Sequence, residues 1–281
     1  MSRFTLRAAT AAVLVAGLGL AGCASTPSEP TEPSAPAAEL NTITDGKLTV
    51  ATGLPAYYPY VIDDAPETGQ GFEAAVAYAI AEKLGFDKDD VVWVRATWDE
   101  TLAPGPKPYD FNLQQVSITQ DRKEFVDFAG PYYNSAQAVV TVESSKAASA
   151  TTLAALKEVR VGAASGTESL VHAQQTIAPT TPVQVFNNND DLKLALQNGL
   201  VDAIVVDVPT AIYIAGVELD GGKLLGELPN STSEEGWGVV LRKDSAATPF
   251  IQAAIDALRA DGTLDKIAEE WVTSAAGGVL N

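Results

Sequence analysis

Large apolar side chains at four-residue spacing define the first clear element. In GQGFEAAVAYAIAEKLGF, Phe72, Val76, Ile80 and Leu84 recur on one stripe of an α-helix, and Gly85 supplies its C-terminal stop. Elsewhere the period changes. KLTVATG (47–53), VVWV (91–94), FNLQQV (111–116), AQAVVTV (136–142), VDAIVVD (201–207) and EGWGVVLRK predict strands. The unbroken apolar run of 201–207 is that of a parallel strand covered on both faces. VRVGAASGTESLV predicts strand, glycine turn and helix, with Thr167 as N-cap. TQDRKEFVDF predicts a short helix that starts at Thr119 and is ended by Gly130-Pro131. NDDLKLALQNG predicts a helix closed by Gly199. Two more follow in TPFIQAAIDALRADG, where Pro249 suits the first turn, and in TLDKIAEEWV.

Strands and helices alternate throughout, so the fold class is α/β with mostly parallel sheets. Ligands of such sheets sit beyond the carboxyl ends of the strands. That rule brings forward the loop after 47–53, Gln115 to Thr119, Ala164 to Glu168, and Asp207.

The N-terminus follows a different pattern. Arg3 and Arg7 precede an uncharged run from Ala8 to Gly22. A membrane span needs about 20 apolar residues, so 1–22 reads as a signal peptide. Leu20-Ala21-Gly22-Cys23 resembles the lipobox of bacterial lipoproteins, which implies lipidation of the Cys23 thiol and an anchor at the outer face of the cytoplasmic membrane. An incidental buried thiol is the alternative. Residues 23–45 carry prolines at 27, 30, 33 and 36 with few large apolar side chains. They form a tether that cannot support a core; proline-rich chain extends about 3.1 Å per residue.

Composition removes several functions. Lys and Arg total 18 against 36 Asp and Glu, a net charge of −18, which opposes nucleic-acid binding because phosphates need basic neutralisation. Cys23 is the only cysteine and His172, on a predicted helix and expected to be exposed, the only histidine. Neither a Cys/His zinc site nor a Cys-His nucleophile pair can be assembled from them. No Walker loop is present, so no cofactor and no nucleotide hydrolysis by this chain are expected.

In chain order, LTVATGLPAYYPY, GQGFEAAVAYAIAEKLG, VSITQDRKEFVDFAGPYY, VRVGAASGT and GLVDAIVVD, followed by DGTLDKIAEEW, resemble the extracytoplasmic solute-binding proteins of polar amino-acid ABC transporters, family 3. The resemblance implies a two-lobed periplasmic-binding-protein fold (type II). Two mostly parallel sheets with flanking helices would be joined by two crossover strands, AQAVVTV and EGWGVVL. Lobe 1 is expected over 46–137 and 236–281, lobe 2 over 138–235. The implied function is capture of a free amino acid between closing lobes and delivery to an ABC permease with its ATPase subunit. A monomer without enzymatic activity is expected.

The resemblance also implies roles for particular residues. Arg122 would clamp the ligand's α-carboxylate, since its planar fork makes two charge-assisted bonds; otherwise it is a surface arginine pairing with Asp121 or Glu124. Ser117 would help hold the same carboxylate. Thr167 and Glu168 would offer backbone amides at a helix start, although the Glu168 carboxylate is unfavourable there unless it points away or meets a cation. Asp207 would receive the α-ammonium, the alternative being a capping aspartate. Tyr57 and Trp98 would sandwich the aliphatic part of the ligand, with Tyr58 or Tyr60 as alternatives to Tyr57. Gln115 would shorten the pocket or hydrogen-bond the ligand. Relatives that take cationic amino acids tend to carry an aspartate where this chain has Leu54, so a polar, uncharged amino acid is expected. Two other functions remain open: a secreted enzyme resembling a cyclic amino-acid dehydratase, and a sensor that docks a signalling partner.

Overall fold

The computed structural model describes residues 40–232, 235–272 and 278–281. The expected signal peptide, Cys23 and the tether up to residue 39 lie outside the described residues. Two five-stranded sheets are formed. The first contains β1 (Leu48–Gly53), β2 (Val91–Ala96), β3 (Phe111–Asn112), β4 (Val126–Tyr133) and β10 (Trp237–Arg242), in the order β2-β1-β3-β10-β4. The second contains β5 (Gln137–Val142), β6 (Val161–Ala164), β7 (Gln184–Phe186), β8 (Ala203–Asp207) and β9 (Gly222–Glu227), in the order β7-β6-β8-β5-β9.

Both sheets are mostly parallel, as expected, with one reversed strand in each. β1 runs parallel to β2 and β3, while β10 is antiparallel to β3 and β4. Likewise β6 is parallel to β7 and β8, while β5 is antiparallel to β8 and β9. The reversed strand in each sheet is the one reached by crossing from the other sheet. β5 follows β4 after only residues 134–136, so the chain passes directly from the first sheet into the second.

Side-chain alternation explains where the cores lie. In β5, Ala138 and Val140 join one buried cluster and Val139 the other. In β8, Ile204 and Val206 face the first of these, and Ala203 and Val205 the second. A two-residue period sends successive side chains to opposite faces, so each strand feeds both. The first sheet is covered by the helix Phe72–Lys83, whose stripe of Phe72, Val76, Ile80 and Leu84 is wholly buried. The helices Thr248–Ala260 and Thr263–Trp271 pack into the same core through Ile251, Ile255, Leu258 and Leu264.

Four expectations need correction. The helix at Thr119 spans only Gln120–Lys123, and Val126–Tyr133 is a strand rather than its continuation. Thr119 Oγ1 does cap it, accepting from Arg122 N at 3.3 Å. Beyond that turn, pairing of Val126 with Arg242 and of Tyr133 with Trp237 outweighs local helical tendency. FNLQQV pairs only at Phe111–Asn112, because Gln115 has φ 51 and leaves extended geometry. Strands β7 and β9 were not anticipated. Finally, 236–281 does not return wholly to the first lobe. Val279 bridges Glu227, and Leu280 is buried in the second lobe's core, where it finds apolar cover.

Candidate functional site

A cavity of about 310 Å³ opens at the strand ends between the two sheets. Its walls include Tyr57, Trp98, Gln115, Ser117, Arg122, Thr167, Glu168 and Asp207, so the structure brings together all eight residues singled out in the sequence. Tyr58 is not among them. It stacks on Tyr213 at 4.0 Å between ring centroids, beside an adjoining cavity.

Arg122 projects from the short helix after β3. Its Nη1 donates to Ser117 O at 2.7 Å, and its Nη2 donates to Gly166 O of the opposite lobe at 2.9 Å. Glu168 Oε1 lies 3.9 Å from Nη2, and the guanidinium stacks over Trp98 at 5.4 Å. The side chain is only 11% exposed. Burial lowers its pKa, and the Glu168 carboxylate opposes that shift. Asp121 and Glu124, the expected surface partners, form no ion pair with it among the described contacts. The Glu168 carboxylate therefore meets a cation, as its position required.

Asp207 ends β8 and caps the helix Val208–Tyr213, accepting from Thr210 N at 3.1 Å. The same oxygen, Oδ1, accepts from the Tyr60 hydroxyl, which reaches across from the first lobe, while Oδ2 accepts from Thr210 Oγ1 at 2.9 Å. Burial raises the Asp207 pKa, while the bonds from Tyr60 and Thr210 hold it down. The carboxylate is thus a cap as well as a crevice wall.

The remaining residues divide by how their polar atoms are used. The Thr167 hydroxyl donates to Ala164 O at 2.7 Å and accepts from Leu170 N at 3.2 Å, so capping occupies it. Gln115, expected either to shorten the pocket or to hydrogen-bond the ligand, lines the cavity while its side-chain amide donates to Glu73. Trp98 opens a helix, Trp98–Leu102, whose cap Thr97 forms a reciprocal pair with Glu100. The indole presses on Gly166: a Cβ there would stand 3.0 Å from Trp98 Nε1, and φ +70 further favours glycine. Tyr57 Oη and Trp98 Nε1 are buried without a hydrogen-bond partner among the described residues. His172 is half-buried rather than exposed, with Nδ1 3.2 Å from Thr176 Oγ1; burial lowers its pKa.

Several wall residues were not read from the sequence: Gln114, Gln137, Asp99 and Asn187 to Asn189. The asparagines follow β7, a three-residue edge strand with Val185 half exposed. Without an apolar run to mark that strand, the loop at its carboxyl end could not be nominated. The FNNND run before a helix was the available signal, since Asn188 caps that helix at 2.8 Å.

Sequence comparison adds one decisive match. The family model for bacterial extracellular solute-binding proteins, family 3, covers residues 48–274. The chain belongs to that family. This solute-binding protein is 30% identical over 232 residues to the L-arginine-binding protein of Pseudomonas aeruginosa, covering 79% of this chain and 87% of that one. An ancestral arginine-binding protein bound to arginine superposes with a TM-score of 0.67 at 32% identity, over 81% of this chain and 99% of that one. An ancestral arginine-binding protein bound to glutamine gives 0.66 at 32% identity, over 81% and 98%. The protein is an amino-acid-binding component of an ABC transporter.

Titration of this solute-binding protein should report Glu73. Burial raises its pKa from 4.5 to about 7, against the lowering effect of bonds from Tyr132 and Gln115. The folded protein keeps this proton up to about pH 7, whereas the unfolded chain releases it near 4.5. The resulting stability is full below the lower value and is lost as pH rises through the upper one. It amounts to roughly 3 kcal/mol. Asp207, also raised by burial, contributes with the same sign. Denaturant melts should show a flatter decline for Glu73→Gln than for wild type between about pH 5 and 8. Parallel curves would mean that Glu73 does not titrate in that range.

Proposed function

We propose that the crevice captures a free α-amino acid, with Arg122 of the first lobe binding its carboxylate and Asp207 of the second its ammonium. The observation that carries this reading is the placing of one mostly buried cation and one half-buried carboxylate on opposite lobes around the same cavity. Ser117 and the backbone amides at Thr167 and Glu168 would complete the carboxylate's surroundings, and Tyr57 and Trp98 would flank the aliphatic part. Closure would bring lobe 1 (46–137 and 236–281, less the tail on β9) onto lobe 2 (138–235), a hinge motion around the ligand.

The favoured ligand is polar and uncharged. Leu54 contributes no charge to the cavity, while Gln114 and Asn187 line it with amides. A cationic side chain is the second reading, favoured by Asp99 and Glu168, which remain once the ligand's zwitterion has neutralised Arg122 and Asp207. Calorimetric titration with glutamine and with arginine, each at low and high salt, separates them. Tighter glutamine binding with little salt dependence supports the first. Tighter arginine binding that weakens with salt supports the second. Saturation by neither, nor by any other amino acid, removes the proposal.

The protein would act as a monomer at the outer face of the cytoplasmic membrane, held by lipid on Cys23 and a tether over 23–45, and would deliver its ligand to a permease and ATPase. Two acyl chains anchor stably where one is marginal. Cys23→Ser should move the protein from the membrane to the soluble fraction and abolish palmitate labelling. Retention on the membrane would argue for another anchor.

A further inference from the structure

A carboxylate with no ion-pair partner among the described contacts lies behind the crevice wall. Glu73 sits in the first turn of the helix Phe72–Lys83 and is 1% exposed. Its Oε1 accepts the Gln115 backbone N–H at 2.7 Å and also the Tyr132 hydroxyl, and its Oε2 accepts the Gln115 side-chain amide. Both arms of the carboxylate thus hold one residue, and that residue has φ 51. A side chain makes the left-handed region unfavourable, so something must keep Gln115 there.

Short links run from Gln115 to the groups that face the cavity. Val116 O accepts from Gly238 N at 2.9 Å, and Ile118 N donates to Gly236 O at 2.8 Å, so the loop is fastened to β10 on both sides of Ser117. Ser117 O in turn accepts from Arg122 Nη1 at 2.7 Å. The helix start is also tied to the aromatic loop. Phe72 N and Glu73 N donate to Pro59 O and Tyr60 O at 2.9 and 3.0 Å. A Cβ on Gly71 would lie 2.5 Å from Tyr60 O. Packing alone does not call for a charge at this point, because an anion buried without a cation is costly. What the carboxylate supplies is a set of charge-assisted acceptor bonds aimed at one loop.

We propose that Glu73 is a positioning residue for ligand capture: its forked hold on Gln115 fixes the 115–117 backbone and, through the Ser117 carbonyl, the direction in which Arg122 presents its guanidinium. This inference rests on the reading of Arg122 as the carboxylate clamp. Glu73→Leu leaves the Gln115 amides without acceptors, whereas Glu73→Gln can still bond to Gln115 once that residue's own amide turns over. Calorimetry at about pH 8, where Glu73 is ionised, should find Kd raised about tenfold or more in Glu73→Leu and within about threefold of wild type in Glu73→Gln. In an Arg122→Ala background, Glu73→Leu should cause no further loss, since its effect passes through the arginine. Wild-type affinity in Glu73→Leu overturns the inference, as does a full additional loss in the double variant. If Glu73→Leu does not fold, Gln115→Ala removes the side-chain arm and should raise Kd in the same direction; unchanged affinity there overturns the inference too. If Arg122→Ala alone leaves affinity intact, the clamp reading fails, which is a separate result.

Discussion

Replacing Arg122 with alanine should weaken amino-acid binding by roughly two orders of magnitude or more, since leaving one member of a buried ion pair alone costs about 3–5 kcal/mol. The structure sharpens the reason. The guanidinium is 11% exposed, lies over the Trp98 indole and bonds to backbone carbonyls of both lobes, Ser117 and Gly166. A ligand carboxylate would enter a place already shared by two acceptors and the Glu168 carboxylate at 3.9 Å. Removing the cation leaves the two anions facing each other with nothing between them. Folding should change little, because the hydrogen bonds lost are to neutral carbonyls and the Glu168 contact, at 3.9 Å, is long. Arg122→Lys keeps the charge without the planar fork and should fall between wild type and alanine. Calorimetric titration with thermal melts decides it. A loss of less than about tenfold in the alanine variant would remove the clamp role.

Asp207→Asn should weaken α-amino acids by about tenfold to several hundredfold while leaving deaminated analogues close to their wild-type affinity. Asparagine retains an oxygen that can cap Thr210 N and accept from the Tyr60 hydroxyl, so the helix Val208–Tyr213 keeps its start. What disappears is the negative charge that would face an ammonium. The comparison between ligand classes isolates that charge from any damage to lobe contact, because the Tyr60 bond serves both ligands equally. Equal loss of both classes would mean that Asp207 acts as a cap and a lobe fastener, not as the ammonium partner.

Much of this was legible because it depends on local periodicity and spacing. The Phe72-Val76-Ile80-Leu84 stripe, the apolar run ending at Asp207 and the Thr167 cap are each properties of a few consecutive residues. Placing ligand groups at strand carboxyl ends then brought forward Tyr57, Gln115, Ser117, Thr167, Glu168 and Asp207, and the family resemblance added Arg122 and Trp98. The readings that failed depended on partners distant in sequence. Val126–Tyr133 became a strand because β10, more than a hundred residues later, pairs with it. β7 stayed invisible because an edge strand of three residues buries too little to leave an apolar signature.

Side-chain use was the other hidden quantity. Nothing near Gln115 in the chain announces that Glu73 takes its amides, and nothing near Asp207 announces the Tyr60 hydroxyl. The sequence by itself determined the α/β class, the family motifs and which residue types crowd the crevice, since these follow from short-range pattern and chemistry. The tertiary structure alone decided which of those side chains remain turned to the cavity. Hydrogen-bond partners separated by dozens to more than a hundred positions satisfy some of them from behind, and only folding brings such partners within 3 Å.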